Sequence, residues 1–566
     1  MRKLLILLMV GITLAMNAQP VQPETEKEKD KRMEWFKEAK LGIFIHYGIY
    51  AVNGIDESWS FFNGYINYDD YMKQLDGFTA ANYDASAWAK LIKESGAKYA
   101  VLTTKHHDGV ALWDSKTEHY NTVNNTPAGQ DIVAPFVKAL RKEKLKVGLY
   151  YSLIDWSYPD YPAHLRHEVR YDNDEERWNR FTDFYFTQMN ELSKRFNPDL
   201  YWFDGDWEHS AEEWKSKELR DLMLGYNKNV ILNSRLQGYG DYDTPEQGVP
   251  IKKPNNPYWE LCMTMNDSWG YQHNDHNYKT PYQLIRIFVD CISMGGNLLL
   301  DIGPKADGTI PQPQIDILKE FGRWTSKHSE AIYGTHAGIE HKYYPGPSAI
   351  SKNGETLYLY LDRVPNHQLM VNGLDAEIEN VRVVGSNEQL VYDHNNNLLS
   401  VTVEPKHCDQ TMTVIAVDLK HSIKLVNPAT SLQEYELAAM MENEPWKTKH
   451  QIALNDMDKP IAHGHYNGAT ALSKDKNILY LMVDGKNNGP LVLRGLKNKI
   501  NRIWVVGNGT KLSHKVIGKQ YWSEVPGITY VDLPHKVLDK DMTIVAVLLD
   551  GELELYRGKG HVIESN

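Results

Sequence analysis

Seven apolar, strand-like runs alternate with helix-like stretches between residues 33 and 337, and this alternation limits the fold more than any other feature of the sequence. Repeated strand–helix units predict an α/β fold with a parallel sheet. Polar residues at the end of each run favour a (β/α)-barrel of the TIM type, which keeps its chemistry there. A doubly wound open sheet is the alternative, but no run leads into a GxGxxG or P-loop turn. The runs are residues 41–50, 97–109, 145–156, 199–207, 229–236, 258–265 and 295–304.

After about residue 338 the sequence changes to short strands and turns, and it repeats itself. Residues 349–362 match 471–484 at an offset of 122, and "MTVIAV" (412–417) matches "MTIVAV" (542–547) at an offset of 130. This pattern predicts two all-β, sandwich-like domains, at 338–425 and, as a duplicate, at 426–566. Neither copy contains a cluster of acids or histidines, so we expect a packing role, with adhesion to a glycan as the alternative.

The first 32 residues predict export. Residues 1–18 combine a basic start, an apolar core and small residues at the exit, which is typical of a signal peptide cleaved after Ala18. The apolar core is too short to span a membrane. Residues 19–32 are charged and poor in apolar side chains, so we expect a flexible leader there. The sequence therefore predicts a secreted or periplasmic protein without a membrane span.

Composition excludes some functions and favours others. The net charge of −12 argues against nucleic acid and anionic membranes as partners, because both attract positive patches. The 15 Trp and 34 Tyr indicate either aromatic-rich cores or sugar recognition, in which rings stack on apolar sugar faces. The three cysteines, Cys262, Cys291 and Cys408, are too far apart in sequence to predict a disulfide framework or a CxxC metal site.

The segment "DLYWFDGDWE" (199–208) places two acids among aromatic rings. Trp202 and Asp204 share one face of a strand, since side chains alternate along it, and Tyr201 and Phe203 take the other face. Asp204 would end a barrel strand, where catalytic groups are found, and Asp206 would already lie in the loop. A helix-capping role is the alternative for Asp204.

A second carboxylate follows the next strand, in "GDYDTPEQGVP" (240–250). Two acids from neighbouring strand ends could flank a bound sugar, and glycoside hydrolysis needs such a pair. One must stay ionised to attack, and the other must hold a proton, which requires a raised pKa. Spacing alone does not separate Glu246 from Asp241, Asp243 or Glu260.

Three histidines lie in "FIHYG" (44–48) and "KHHDG" (105–109): His46, His106 and His107. A metal site with Asp108 is one interpretation, but neighbouring residues of a strand point to opposite faces, and no HExxH or HxH spacing occurs. Ordinary structural histidines are a second interpretation. We favour recognition of sugar hydroxyls, because imidazole both donates and accepts hydrogen bonds. We therefore predict no metal site.

Taken together, these segments resemble glycoside hydrolase family 29, the α-L-fucosidases. The order of "WFKEAKLGIFIHYGIY", "AKYAVLTTKHHDGVALWDS", "VGLYYSLIDW", "YWFDGDW", "DTPEQ", "WELCMTMNDSWGY" and "GGNLLLDIGPKADGTIP" is similar to that family over about residues 33–340. The resemblance implies a retaining α-L-fucosidase that needs no cofactor and acts on terminal fucose of oligosaccharides or glycoproteins. The second β-repeat exceeds the usual length of the family.

The resemblance also implies roles for individual residues. Asp204 matches the nucleophile and Glu246 the acid/base. Arg235 lies on the strand between them, where its charge could keep Asp204 ionised, although a structural ion pair is the alternative. The positions that match the fucose-holding residues of the family are His46, His106, His107, Tyr151, Trp202 and Arg235.

The segments "TPEQ" and "WELCMTMNDSWGY" look most like the branch that prefers α1,3- or α1,4-linked fucose, in which Trp269 would line the pocket. Family members usually carry an acid and a tryptophan after the first strand. Here "DESWSFF" offers Glu57 and Trp59 with an extra residue between them. Two other functions stay open: a retaining glycosidase for a related sugar such as galactose, and a catalytically inactive fucose-binding surface protein.

Overall fold

The computed structural model describes residues 24–386, 388–520 and 523–558. The predicted signal peptide lies outside these residues. The prediction of a flexible leader at residues 19–32 is wrong for its last part, because α1 (Glu26–Ala39) begins there. A capping box between Thr25 and Glu28 fixes the start of this helix. Arg32, taken from sequence as the end of the leader, is buried and pairs with Asp241 at 2.8 Å. The charge of Arg32 is typical of a solvated segment, but Asp241, far along the chain, neutralises this charge.

The region of alternating strands and helices contains one parallel sheet of seven strands, which are numbered β1 to β7 in chain order and lie in the order β5-β4-β3-β2-β1-β7-β6. The first strand pairs with the second and also with the last, as in a cyclic arrangement, whereas the first strand of a doubly wound sheet has no such neighbour. The strands are β1 (Leu41–Ile45), β2 (Tyr99–Lys105), β3 (Lys146–Ser152), β4 (Leu200–Asp204), β5 (Ile231–Leu232), β6 (Glu260–Thr264) and β7 (Asn297–Ile302).

The gap between the two edge strands is bridged by residues 241–247, which form isolated parallel bridges and not a regular strand. Asn233, just after β5, pairs with Tyr242, and Glu246 pairs with Cys262 of β6. Backbone hydrogen bonds of 2.7–3.0 Å run from Asp241 to Leu232 on one side and from Cys262 to Pro245 on the other. The parallel β/α architecture is therefore confirmed, and residues 241–247, called the bridging segment below, connect its edges.

Helices surround this sheet in the predicted alternation. N-caps explain where several begin: Asp84 accepts from the backbone of Ser86 and Ala87, and Thr280 forms a capping box with Gln283. The helices after α1 are α2 (Ala85–Glu94), α3 (Val133–Lys142), α4 (Glu175–Phe196), α5 (Ser216–Tyr226), α6 (Pro281–Ser293) and α7 (Gln312–Lys327). Short helices at Trp59–Phe62 and Tyr68–Met72 follow β1, and a hairpin of Ala163–Leu165 and Glu168–Val169 follows β3.

Side chains alternate across the strands as expected. Phe44, Tyr150 and Trp202 belong to the cluster inside the curled sheet, and their strand neighbours pack outward against the helices. Met33 and Phe36 of α1 join the inner cluster, so α1 covers the end where the strands begin. This arrangement leaves the opposite end, at the carboxyl termini of the strands, open for a site.

Two β units follow the parallel sheet and its helices, and they repeat one strand order, as the sequence repeats predict. Tyr358 pairs with Ala416 in the first unit, and Tyr480 pairs with Ala546 in the second. The first unit has sheets of His336–Ala337, Ser348–Ile350, Thr356–Leu361, Thr413–Leu419 and Ile378–Val383, and of Leu369–Val371, Leu398–Val401 and Tyr392–Asn395. The second has sheets of Thr470–Leu472, Ile478–Asp484, Met542–Leu549 and Ile500–Val505, and of Leu491–Arg494, Ile528–Val531 and His514–Ile517.

The units also contact one another. Strand Arg363–Val364 of the first β unit pairs with Lys486–Asn487 of the second, and α8 (Leu432–Met441) and α9 (Glu444–Asp456) connect the units in sequence. A buried ion-pair cluster, called the joint below, connects both β units to a helix that packs on the parallel sheet. It consists of Arg286 and Asp290 of α6, Asp362 of the first β unit and Arg494 of the second.

All three cysteines are free, as expected from their spacing. Among the described residues, none of the helices has the length and apolar character that a bilayer crossing requires.

Candidate active site

Two carboxylates and one arginine meet at the carboxyl ends of the strands. Asp204 is the last residue of β4, Arg235 follows β5, and Glu246 lies in the bridging segment. Arg235 Nη1 donates to Asp204 Oδ1 at 2.7 Å, and Nη2 donates to Glu246 Oε2 at 2.5 Å. One guanidinium thus contacts both carboxylates, which places them side by side at one opening.

The acids that sequence spacing left open have other partners. Asp241 accepts from Arg32 and Arg220, so it fixes α1 and α5. Asp243 accepts from Asn256. Glu260 accepts from Tyr99 and Trp202 inside the barrel, below the opening. Of these acids, Glu246 is the one that shares an arginine with Asp204.

Asp206 lies outside the strand. Gly205 adopts a left-handed conformation with φ 86°, which turns the chain away from β4. Burial raises the pKa of Asp206 to about 6, although Arg235 opposes this shift. The structure therefore distinguishes the two aspartates: Asp204 accepts a hydrogen bond from Arg235, whereas Asp206 lies beyond the turn at Gly205.

Tyr150 is a contact of Asp204 that the sequence interpretation missed. Its hydroxyl donates to Asp204 Oδ2 at 2.9 Å. The prediction of Tyr151 in the site is wrong, because Tyr151 points to the outer face of β3 and its hydroxyl donates to Gln188 at 2.7 Å. Alternation along β3 could have identified Tyr150, since Ser152 on the same face reaches His107.

The three histidines surround the opening, each fixed through Nδ1. His46 bonds to Asp301 at 2.6 Å, His106 to Ser58 at 2.5 Å and His107 to Ser152 at 2.6 Å. The other ring nitrogen of each remains for a ligand, and His107 Nε2 lies 3.6 Å from Asp204 Oδ2. Such anchoring fixes the ring orientation, as recognition of hydroxyl groups requires.

The expectation that His106 and His107 point to opposite faces is wrong. Strand β2 ends at Lys105, so both histidines lie in the turn, with ring centroids 4.4 Å apart. Burial lowers the pKa of His107 to about 3, and it holds the pKa of His46 and His106 well below the ordinary value. The three rings are therefore neutral at pH 7. Within the described residues, no group of three or more His, Cys, Asp or Glu could hold a metal ion.

Aromatic rings form the wall of the opening. Arg235 lies 4.5 Å above the ring centroid of Trp202, and Trp269 packs against His46 with centroids 5.0 Å apart. Trp59 contacts His107 edge-on and stacks on Trp207 at 6.4 Å. Trp207 was not predicted, and its ring is 49% exposed at the rim.

The loop after β1 carries Glu57, Ser58 and Trp59, and their contacts connect it to two other parts of the site. Glu57 is buried and accepts a hydrogen bond from the backbone of Gly270 at 2.5 Å, so it holds the loop that carries Trp269. Burial raises the pKa of Glu57 to about 7, with that hydrogen bond acting in the opposite direction. The extra residue, Ser58, supplies the partner of His106.

The charges of the site determine what it can do. One guanidinium faces two carboxylates, and the histidines are neutral, so one carboxylate has no cation of its own. Burial raises the pKa of Glu246, Arg235 lowers it, and the charge of Asp204 raises it further, with a net upward shift. Glu246 is therefore the carboxylate whose surroundings favour a proton, whereas Asp204 accepts hydrogen bonds from Arg235 and Tyr150.

Comparisons with known proteins agree with this geometry. The family model "Alpha-L-fucosidase" matches residues 8–330. The chain is 34% identical over 342 residues to an alpha-L-fucosidase of Dictyostelium discoideum, which covers 53% of this chain and 71% of that protein. It is 31% identical over 372 residues to tissue alpha-L-fucosidase of Macaca fascicularis, with coverage of 59% and 76%.

Solved structures show the same similarity. Alpha-L-fucosidase isoenzyme 1 from Paenibacillus thiaminolyticus matches with a TM-score of 0.65 at 34% identity, over 69% of this chain and 99% of that one. A glycoside hydrolase family 29 alpha-L-fucosidase from Bacteroides thetaiotaomicron, trapped as a covalent intermediate with 2-fluoro-fucosyl fluoride, matches with a TM-score of 0.63 at 29% identity, over 69% and 96%.

Proposed function

Because the chain belongs to the alpha-L-fucosidase family, we propose that it is an exo-acting, retaining α-L-fucosidase that releases terminal fucose by double displacement. The observation that carries this proposal is the contact of one guanidinium, that of Arg235, with both Asp204 and Glu246. Adjacent carboxylates suit a mechanism in which one of them attacks the sugar directly. Inversion instead needs a wider separation, with room for a water molecule between the carboxylate that acts as base and the sugar.

In the first step, a carboxylate oxygen of Asp204 forms a bond to the anomeric carbon of fucose. The bond from that carbon to the departing oxygen breaks, and Glu246 gives its proton to that oxygen. In the second step, water attacks the same carbon, Glu246 accepts a proton from the water, and Asp204 leaves as the free carboxylate. Two displacements at one carbon retain the configuration.

The electrostatics of the site support the change of role that Glu246 must make. Burial raises the pKa of Glu246 and Arg235 lowers it, while the negative charge of Asp204 raises it. When Asp204 becomes an ester in the intermediate, its charge disappears. The pKa of Glu246 then falls, and the same side chain becomes a base for the attacking water.

We propose α1,3- or α1,4-linked fucose on branched oligosaccharides or glycoproteins as the substrate. The "TPEQ" and "WELCMTMNDSWGY" segments support this linkage, and Trp269 against His46 offers an apolar surface to the methyl group of fucose. We also propose export to the periplasm or outside the cell, on the basis of residues 1–18.

The proposal is tested by a substrate panel. The protein is incubated with 4-nitrophenyl α-L-fucoside, the matching galactosides and a fucosylated Lewis-type trisaccharide, and the anomer first released is identified by NMR. We expect α-L-fucose from a fucoside and no turnover of galactosides. Release of β-fucose would exclude retention, and binding of fucose without turnover of any fucoside would favour an inactive binding protein.

The variant Asp204→Ala tests the nucleophile. We expect kcat to fall on the order of 10⁴-fold, because removal of one member of a catalytic unit has effects of that size. The thermal midpoint should stay close to that of the parent, since Arg235 keeps its ion pair with Glu246 when Asp204 is removed. An Asp204→Ala enzyme with activity within about tenfold of the parent, a barrier change near 1.4 kcal/mol, would refute the assignment.

A further inference from the structure

The second β unit, which no catalytic argument has used so far, packs directly on the barrel. Its apolar side chains Val492, Ile528 and Tyr530 belong to the same hydrophobic cluster as the outer face of the barrel. In the joint, Arg494 of this unit pairs with Asp290 of α6 at 3.0 Å, with both side chains buried. The second β unit is therefore fixed relative to the barrel by apolar and ionic contacts.

This unit meets the barrel where the acid/base residue is held. A Cβ atom on Gly518 would lie 2.6 Å from the carbonyl oxygen of Gln247, and one on Gly248 would lie 2.7 Å from Val525 Cγ1. Gln247 and Gly248 directly follow Glu246. The turn between strands His514–Ile517 and Ile528–Val531 thus lies against the residues next to the Glu246 carboxyl group.

The bridging segment needs support from outside, because it is not part of a helix or a regular strand. Gln247 has φ 57°, in the left-handed region that side-chain-bearing residues rarely adopt. On the barrel side, its Nε2 donates to Thr264 Oγ1 at 3.1 Å and its backbone N–H to Cys262 at 2.9 Å. On the side of the second β unit, Gly518 lies against Gln247, and Val525 lies against Gly248. Such a conformation persists where the surroundings fix it from several directions.

We propose that the second β unit is a positioning domain for the general acid: through Gly518 and Val525 it holds Gln247 and Gly248, and so sets the place of the Glu246 carboxyl group. This inference rests on the proposed role of Glu246 in fucoside hydrolysis. Proton transfer requires the acid within hydrogen-bond reach of the departing oxygen, and a displacement near 1 Å is enough to impair it. Gly518 and Val525 are positioning residues, since neither touches the reacting atoms.

The test uses leaving groups that differ in their need for a proton. Dinitrophenolate leaves as a stable anion, whereas phenolate needs protonation by Glu246 as the bond breaks. A misplaced acid therefore slows phenyl α-L-fucoside and spares 2,4-dinitrophenyl α-L-fucoside. General destabilisation of the enzyme slows both to the same extent, so the ratio of the two kcat/KM values isolates the position of the acid.

Two variants of the full-length protein change the contact in opposite ways. Val525→Ala removes apolar contact with Gly248. Gly518→Ala places a methyl group against the carbonyl oxygen of Gln247, and because Gly518 has φ 78° it also strains its own turn. We expect kcat/KM for the phenyl fucoside to fall about 10- to 100-fold in each, with the dinitrophenyl fucoside close to the parent. The control is Val516→Ala, on the same hairpin but 45% exposed, which should leave both substrates unchanged.

The proposal is overturned if both variants lose activity equally on the two substrates, or if neither loses activity on the phenyl fucoside. If Val525→Ala does not fold, Gly518→Ala decides alone. Glu246→Ala, measured in the same series, keeps the two proposals apart. If Glu246→Ala loses activity mainly on the phenyl fucoside and the hairpin variants do not, only the positioning role is rejected. If Glu246→Ala loses activity equally on the phenyl and dinitrophenyl fucosides, the acid/base assignment itself is rejected.

Discussion

The active site and the joint are built from the same chemical groups but differ in charge balance. In the site, Arg235 lies between Asp204 and Glu246; in the joint, Arg286 lies between Asp290 and Asp362. The joint has a further arginine, Arg494, on Asp290, so it contains a cation for each carboxylate.

Among the described residues, the site lacks that second cation. Exposure does not separate the two clusters, because the Asp204 and Glu246 side chains are 12% and 15% exposed, against 3% for Asp290 and 15% for Asp362. An arginine between two carboxylates is therefore not a sign of catalysis in itself. What distinguishes the site is an excess carboxylate that must bind a proton, at an opening lined by neutral histidines.

Replacing the two arginines should give opposite results and so test the comparison most strongly. Arg235→Met should lower kcat/KM about 10²- to 10³-fold, the usual effect of removing one group that stabilises charge in the transition state. Arg286→Met should leave kcat/KM near the parent value but cost about 3–5 kcal/mol of stability, because it leaves buried carboxylates with fewer partners.

These two variants are compared by steady-state kinetics at 25 °C and by unfolding in urea. The comparison would fail if Arg286→Met, while still folded, lost as much activity as Arg235→Met. It would also fail if Arg235→Met lost stability without losing turnover.

The adjacent tyrosines of β3, Tyr150 and Tyr151, provide a second comparison of a site residue with a structural residue, with smaller expected effects. Tyr150→Phe removes a hydrogen bond to the carboxylate of Asp204, the proposed nucleophile, which is worth about 1.5–3 kcal/mol, so kcat should fall roughly 10- to 100-fold. Tyr151→Phe should keep kcat and lose about 1–3 kcal/mol of stability, because Gln188 is left buried without its partner. Kinetics and thermal unfolding of both variants check this, and equal kcat losses would contradict the alternation of β3.

The tyrosines also show which parts of the fold and the site could be predicted from the sequence. Repeated strand–helix patterns predicted the parallel sheet, and the family resemblance pointed to Asp204, Glu246 and the histidines, because spacing along the chain survives folding. Local alternation was sufficient to choose Tyr150, but the resemblance led to Tyr151.

Contacts between distant segments could not be predicted. Arg32 in a charged run pairs with Asp241, some 200 residues later, and Val525 meets Gly248 across more than 250 residues. No local pattern encodes such partners, since each segment alone has the composition of a solvated surface. The bridging segment at the edges of the sheet escaped prediction for the same reason: its pairings are isolated bridges without strand periodicity.

The smallest expected effect concerns the second aspartate of "DLYWFDGDWE". Burial raises the pKa of Asp206 to about 6 from an ordinary value of 3.8, so the folded protein holds this proton more tightly than the unfolded chain. Between these two values the unfolded chain ionises first, and the folded state loses stability as the pH rises. Asp206→Asn removes that loss and should stabilise the protein on the order of 1 kcal/mol at pH 7.5 and not at pH 3.5.

The activity of Asp206→Asn should stay near that of the parent, in contrast to any change at Asp204. Unfolding midpoints at the two pH values, together with kcat on 4-nitrophenyl α-L-fucoside, measure both effects in one preparation. A large loss of kcat would assign Asp206 to the chemistry, and equal midpoint shifts at both pH values would show that its charge is not buried. The expected result would instead place the boundary of the site between Asp204 and Asp206, at the left-handed turn of Gly205.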